Sequence, residues 1–157
     1  AHDVALVRAL ASARETVDIA SQTGWPLKAT LFVQHQVGEL LGLDRMRAAA
    51  RDLQPRDQWD QLALQRVADD LPRRQTELSI SAIRFAQQAG VSPYGIDRTS
   101  AGRLASDWIA PRRATADRLT QPMGAFDRQG GWSLAKLVLL GDAVREFVYA
   151  VRAEPGA

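Results

Sequence analysis

Cysteine is absent from the chain, which excludes disulfide staples and any thiolate metal site and fits a reducing compartment, the cytoplasm. Histidine is nearly absent: His2 and His35 are the two present, too far apart for the short spacings of metal-ligand motifs. Lysine is equally scarce. Of 20 basic residues only Lys28 and Lys136 are lysine, and the net charge is only +2, so the isoelectric point of about 9.5 reflects arginine's high pKa more than a strong field. The arginines alternate with Asp and Glu instead of clustering on one face, which argues against nucleic-acid binding. A long hydrophobic run is also missing. The longest, "LAKLVLLG" at 134–141, is broken by Lys136, and no signal-peptide pattern opens the chain, so a soluble protein without a membrane partner is expected.

What is present is material for one core. At 157 residues and 46% hydrophobic, the chain reads as a single helical domain over 1–157, too short for two independent cores. It opens at Ala1 without a methionine, inside a helical pattern, and is expected to be a piece of a longer polypeptide.

No segment alternates with period two, so the expected class is all-α, a bundle of six or seven helices without a sheet. A helix over about 3–22 carries Val4, Val7, Leu10, Val17 and Ala20 and stops at Gly24. A second follows Pro26 with Leu27, Leu31, Val33, Val37, Leu40 and Leu41, and ends at Gly42 in a left-handed cap. Gly38 and Gly42 form a Gly-x-x-x-Gly step, Gly38 giving room for a neighbouring element. Asp44 is expected to cap a short helix to about Leu53; Pro55 breaks the chain, and Asp57 caps the longest periodic segment. There Leu64, Leu71, Leu78 and Phe85 fall seven apart, the seam of a bundle helix, although Arg74 and Gln75 are polar for such a position. Pro72 is expected to kink or break it near Leu71. Residues 90–102, "GVSPYGIDRTSAG", read as an extended loop. Thr99 or Ser100 is expected to cap a helix with Leu104 and Trp108, and Pro111 to start another with Ala114 and Leu119, closed by "PMGAFDRQGG". The last helix spans about 133–151 with Ser133 as its cap, and carries Leu134, Leu137, Val138, Gly141, Val144, Phe147, Val148 and Val151 on one broad face.

Candidate chemistry is thin. His35 and Glu39 stand one helical turn apart and would supply two metal ligands, but no second pair accompanies them, and a histidine beside a carboxylate is the commoner reading. Asp69 and Asp70 are adjacent, so on a helix they diverge and suit a solvated face better than acid–base work. "RQGGWSLAK" at 128–136 has two glycines before a helix but neither the dinucleotide nor the phosphate-loop spacing. No serine has an activating motif. Arg112 and Arg113 would grip an anion at a helix start, though an exposed pair is commoner. Trp25, Trp59, Trp108 and Trp132 stand near helix ends and read first as core anchors, second as an interface patch. No catalytic, cofactor-binding or metal residue is assigned.

The succession "ETVDIASQTGWPL" (15–27), "VGELLGLDRMR" (37–47), "QPRDQWDQLALQRVADDL" (54–71), "RRQTELS" (73–79) and "DWIAPRRA" (107–114) closely resembles the C-terminal helical region of the large bacterial NAD-specific glutamate dehydrogenases. The most specific part runs from Gly38, Gly42 and Leu43 through Trp59 and Asp69–Leu71 to Gln75. Two positions differ: Pro72 stands where the family more often has an aromatic residue or another good helix former, and residues 90–102 match no family pattern. The resemblance implies a parent enzyme that oxidatively deaminates L-glutamate to 2-oxoglutarate and ammonia with NAD as hydride acceptor. It implies that the catalytic lysines, aspartate and nucleotide-binding glycines lie in a preceding domain, so no cofactor is expected in this chain and NAD only in the parent. The expected role is a non-catalytic scaffold or regulatory domain, partnered with the catalytic domain of its own chain or a neighbouring subunit of a homo-oligomer. Two other readings stay open: a free-standing interaction module using the Leu64–Phe85 seam or the tryptophans, and an arginine-based DNA binder with strongly salt-dependent affinity.

Overall fold

The computed structural model describes residues 2–94, 98–127 and 131–155, with side chains for residues 10, 13–94, 100–120 and 131–155. Its elements are α1 (His2–Thr23), α2 (Leu27–Leu41), α3 (Leu43–Asp52), α4 (Gln58–Gln88), α5 (Arg98–Leu104), a π-helical turn (Ala105–Ile109), α6 (Ala110–Asp127) and α7 (Leu134–Arg152). Because α5, the π turn and α6 run on without a break, the described residues form six helical rods and contain no strand. The all-α expectation is met.

The 31 residues of α4 make a rod of about 47 Å at the α-helical rise. It packs against α1, α2, α3 and α7, while α7 also packs on α6 and α3. Asp57 starts it as expected, its carboxylate accepting from the Asp60 amide at 2.9 Å. Leu64, Val67, Leu71, Leu78, Ala82 and Ile83 bury the seam. Phe85 lies half-buried against it. The seam is internal, and so cannot serve as a partner surface.

Of the kink or break expected at Pro72, the break does not occur; α4 stays helical on both sides. The ring leaves the Ala68 carbonyl without its intrahelical donor, at a cost of about 3 kcal/mol. Leu71 and Leu78 flank the site at 1% exposure each, and burying them contributes about 1.5–3 kcal/mol apiece. Packing on both sides therefore outweighs the local defect.

Several other boundaries are corrected in the same way, by tertiary context. Gly42 lies at φ 65, ends α2 and is also the N-cap of α3, its carbonyl accepting from the Met46 amide at 3.1 Å. Asp44 therefore sits in the first turn of α3 instead of capping it. Helix α5 already runs at Arg98, so neither Thr99 nor Ser100 is its cap, and the expected loop at 90–102 loses its second half; residues 95–97 and 128–130 lie outside the described part. Pro111 starts no new helix. The preceding π turn carries the chain into it, with Ala110 N–H bonded to the Ala105 carbonyl five residues back, a wider turn that eases the clash between a proline ring and the carbonyl four residues earlier. Helix α6 runs on through Asp127, where "PMGAFDRQGG" is expected to close the pair.

Two expected apolar faces are met only in part. On α1 the buried side chains are Thr16 and Ile19, whereas Leu10 and Val17 are exposed; Val4 and Val7 fall outside the described side chains. On α2, Val33, Val37, Leu40 and Leu41 are buried as expected, while Leu27 and Leu31 face outward and Ala29 is buried in addition. The last helix follows expectation, with Leu137, Val144, Phe147, Val148 and Val151 inside and Ser133 Oγ accepting from the Lys136 amide at 3.1 Å.

Candidate functional site

Residues from three of the family-like stretches, 15–27, 37–47 and 73–79, meet in one place. At the crossing of α1, α2, α3 and α4, Arg47 donates from Nη2 to Glu15 Oε1 at 2.8 Å and from Nη1 to Glu15 Oε2 at 3.2 Å. Its Nη1 also donates to Gln75 Oε1 at 3.0 Å. Gln75 Nε2 then donates to the backbone carbonyl of Gln34 at 3.1 Å, and Thr16 Oγ1 donates to Gln34 Oε1 at 2.6 Å. Thr16, Gln34 and Gln75 are buried, while Glu15 and Arg47 keep 18% and 21% exposure. Every member has a partner, the condition under which a buried polar cluster specifies one packing instead of weakening it. Gly38 admits this cluster: a Cβ there would lie 2.9 Å from Gln75 Nε2. The packing role expected of Gly38 and the capping role of Gly42 are both seen.

A second ionic cluster joins α4 to α7. Arg74, with a side chain only 8% exposed, donates to Asp70 at 3.3 Å and to Glu77 at 3.4 Å, and its guanidinium lies over the Tyr149 ring at 5.6 Å. Arg152 pairs with Glu77 across the same contact. Arg73 bonds Asp70 from the solvent side, and that hydrogen bond holds its guanidinium above arginine's ordinary pKa. Near the C-terminus, Arg112 is held between the Trp108 ring at 4.5 Å, the Trp108 carbonyl at 2.8 Å and the Glu154 carboxylate.

Against these clusters the sequence candidates sort plainly. His35 Nε2 and Glu39 Oε1 do meet, at 3.1 Å, but both side chains are 60% exposed, and among the described residues no group of three or more His, Cys, Asp or Glu is placed to hold a metal. Asp69 accepts from Gln65 at 2.9 Å and Asp70 from the arginines, so the pair is divided. Arg112 is an internal clamp and Arg113 is exposed. Trp25 and Trp108 are buried and Trp132 is half-buried under Lys136 at 4.6 Å. Trp59 is no core anchor: it is 69% exposed at the start of α4. Sequence reasoning assigned no role to Glu15, Gln34 or Arg47. The signal available was Gln75, a polar residue within an apolar seam, which asks for buried partners.

Fold and clusters together define an all-α bundle whose most distinctive residues lock helices to one another. A family model described as "Glutamate dehydrogenase, C-terminal" matches residues 1–146. The chain belongs to that family. No curated protein and no solved structure matches it. Among the described residues no helix is long and apolar enough to cross a membrane.

Proposed function

We propose that this chain is the non-catalytic helical domain of a large bacterial, cytoplasmic, NAD-dependent glutamate dehydrogenase. The parent converts L-glutamate to 2-oxoglutarate and ammonia with transfer of hydride to NAD, and is a homo-oligomer. This domain acts as a scaffold or regulatory element docked on the catalytic domain of its own chain or of a neighbouring subunit. The observation that carries the reading is the family match over residues 1–146, and the Glu15–Arg47–Gln75 cluster supports it by giving the family-like stretches a structural use. A domain of fixed shape transmits a docking contact without a group that touches substrate.

The test is the coding sequence upstream of Ala1 together with an assay of the chain alone. An open frame encoding a dehydrogenase domain, and no glutamate-dependent NADH from the isolated chain, is the expected result. An in-frame stop just before Ala1, or turnover by the chain itself, overturns the reading.

A further inference from the structure

Between α4 and α7 the surface opens into a cleft of about 540 Å³, within the size range of small-molecule sites. Its floor is apolar, formed by Val67 and Leu71 of α4 with Val138 and Gly141 of α7. Its rim carries four arginines against three aspartates, one positive charge in excess. Three of the arginines are engaged: Arg73 and Arg74 share Asp70, and Arg145 bonds Asp142 at 2.9 Å. Arg66 makes no ion pair among the described residues, and Asp69, which follows it by three positions, directs its carboxylate to Gln65 Nε2.

Gly141 adds an independent observation. A glycine inside a helix costs about 1 kcal/mol relative to alanine, and such a residue is usually retained for close packing. Here packing does not require it. A Cβ on Gly141 would make only ordinary contacts with the Val67 methyls at 3.9 Å, and its absence leaves room at the cleft floor.

We infer that the α4–α7 cleft binds a small organic monocarboxylate, its carboxylate on Arg66 and its hydrocarbon body over Val67, Leu71, Val138 and Gly141. A guanidinium matches a planar carboxylate bidentately. The single excess charge selects a monoanion, because a second carboxylate would face Asp69 and Asp142. The apolar floor selects a hydrocarbon body over an inorganic anion. This site is independent of the dehydrogenase reading, since binding is read on the chain itself.

The experiment is a ¹H–¹⁵N NMR titration of the whole chain with sodium 3-phenylpropionate and with sodium 4-methylpentanoate, beside 3-phenylpropionamide and sodium chloride at matched ionic strength. Saturable shifts confined to amides near residues 63–74 and 138–145, which border the cleft, are expected with at least one carboxylate. The amide is expected to bind at least about tenfold more weakly, since the charge-assisted bond is lost. Arg66→Gln, an exposed change without folding risk, should weaken the carboxylate by about tenfold or more, and Gly141→Leu, which fills the floor, should abolish binding while helicity is kept. Absence of saturable shifts with both carboxylates, equal binding of the amide, or indifference to Arg66→Gln would overturn the site.

Discussion

Gln75 occupies the space that a side chain on Gly38 would need. The separation from a Cβ at Gly38 to Gln75 Nε2 would be 2.9 Å, and that same amide is held by the Gln34 carbonyl and by Arg47. A flexible side-chain tip normally moves aside cheaply. This one is buried, and tethered at both ends.

Gly38→Ala is therefore expected to destabilise the fold by about 1–3 kcal/mol from overpacking, despite the gain in helix propensity. In a Gln75→Ala background the same substitution has nothing to strike, and should be neutral or stabilising. Urea unfolding of the two single variants and the double variant measures the coupling. Additive effects would show that Gly38 is not held open for Gln75.

Arg47→Met should cost about 2–4 kcal/mol, because it leaves the Gln75 carbonyl without its donor and the largely buried Glu15 carboxylate with only the long bond from Gln34 Nε2 at 3.5 Å. Glu15→Gln together with Arg47→Met should cost less than the sum of the two single changes, with a coupling of about 1–3 kcal/mol. Denaturant midpoints at constant slope decide it. Equal and additive losses would mean the pair acts as a surface contact.

Pro72→Ala should stabilise the chain by about 1–3 kcal/mol, restoring the amide bonded to the Ala68 carbonyl in a helix that already runs unbroken through the site. Thermal unfolding followed by circular dichroism reads this directly. A loss of stability would show that α4 is shaped around the ring.

The tryptophans divide by burial. Trp108→Ala should cost about 3–5 kcal/mol, as for other buried aromatic truncations, while Trp59→Ser should change stability by less than about 0.5 kcal/mol. Iodide quenching should act mainly on the Trp59 emission. If quenching is unchanged in the Trp59 variant, the exposed ring is not where the fold places it.

How much of this was written in the sequence depends on which force decides each feature. Helix boundaries set by local chemistry were legible: the Asp57 and Ser133 caps, the Gly24 and Gly42 stops, and the seam from Leu64 to Leu78 all follow from propensity and spacing. Features decided by tertiary packing were not. Pro72 and Pro111 read as breaks because the local penalty is visible in sequence, while the burial that overrides it, and the π turn that eases it, appear only in three dimensions. Leu27 and Leu31 read as core residues because α2 has more apolar residues than its buried face needs. The Glu15–Arg47 pair joins residues 32 positions apart, and nothing local announces it. The α4–α7 cleft was illegible for the same reason, with Gly141 reading as one more member of an apolar face.

The most direct test of the account is glutamate-dependent NADH production by the parent enzyme beside the same enzyme ending just before Ala1, at matched concentrations of folded protein. The account predicts that turnover collapses in the truncated enzyme while its remaining domains stay folded. Unchanged turnover and unchanged glutamate dependence would contradict it, and would leave the helical domain without a part in the dehydrogenase reaction.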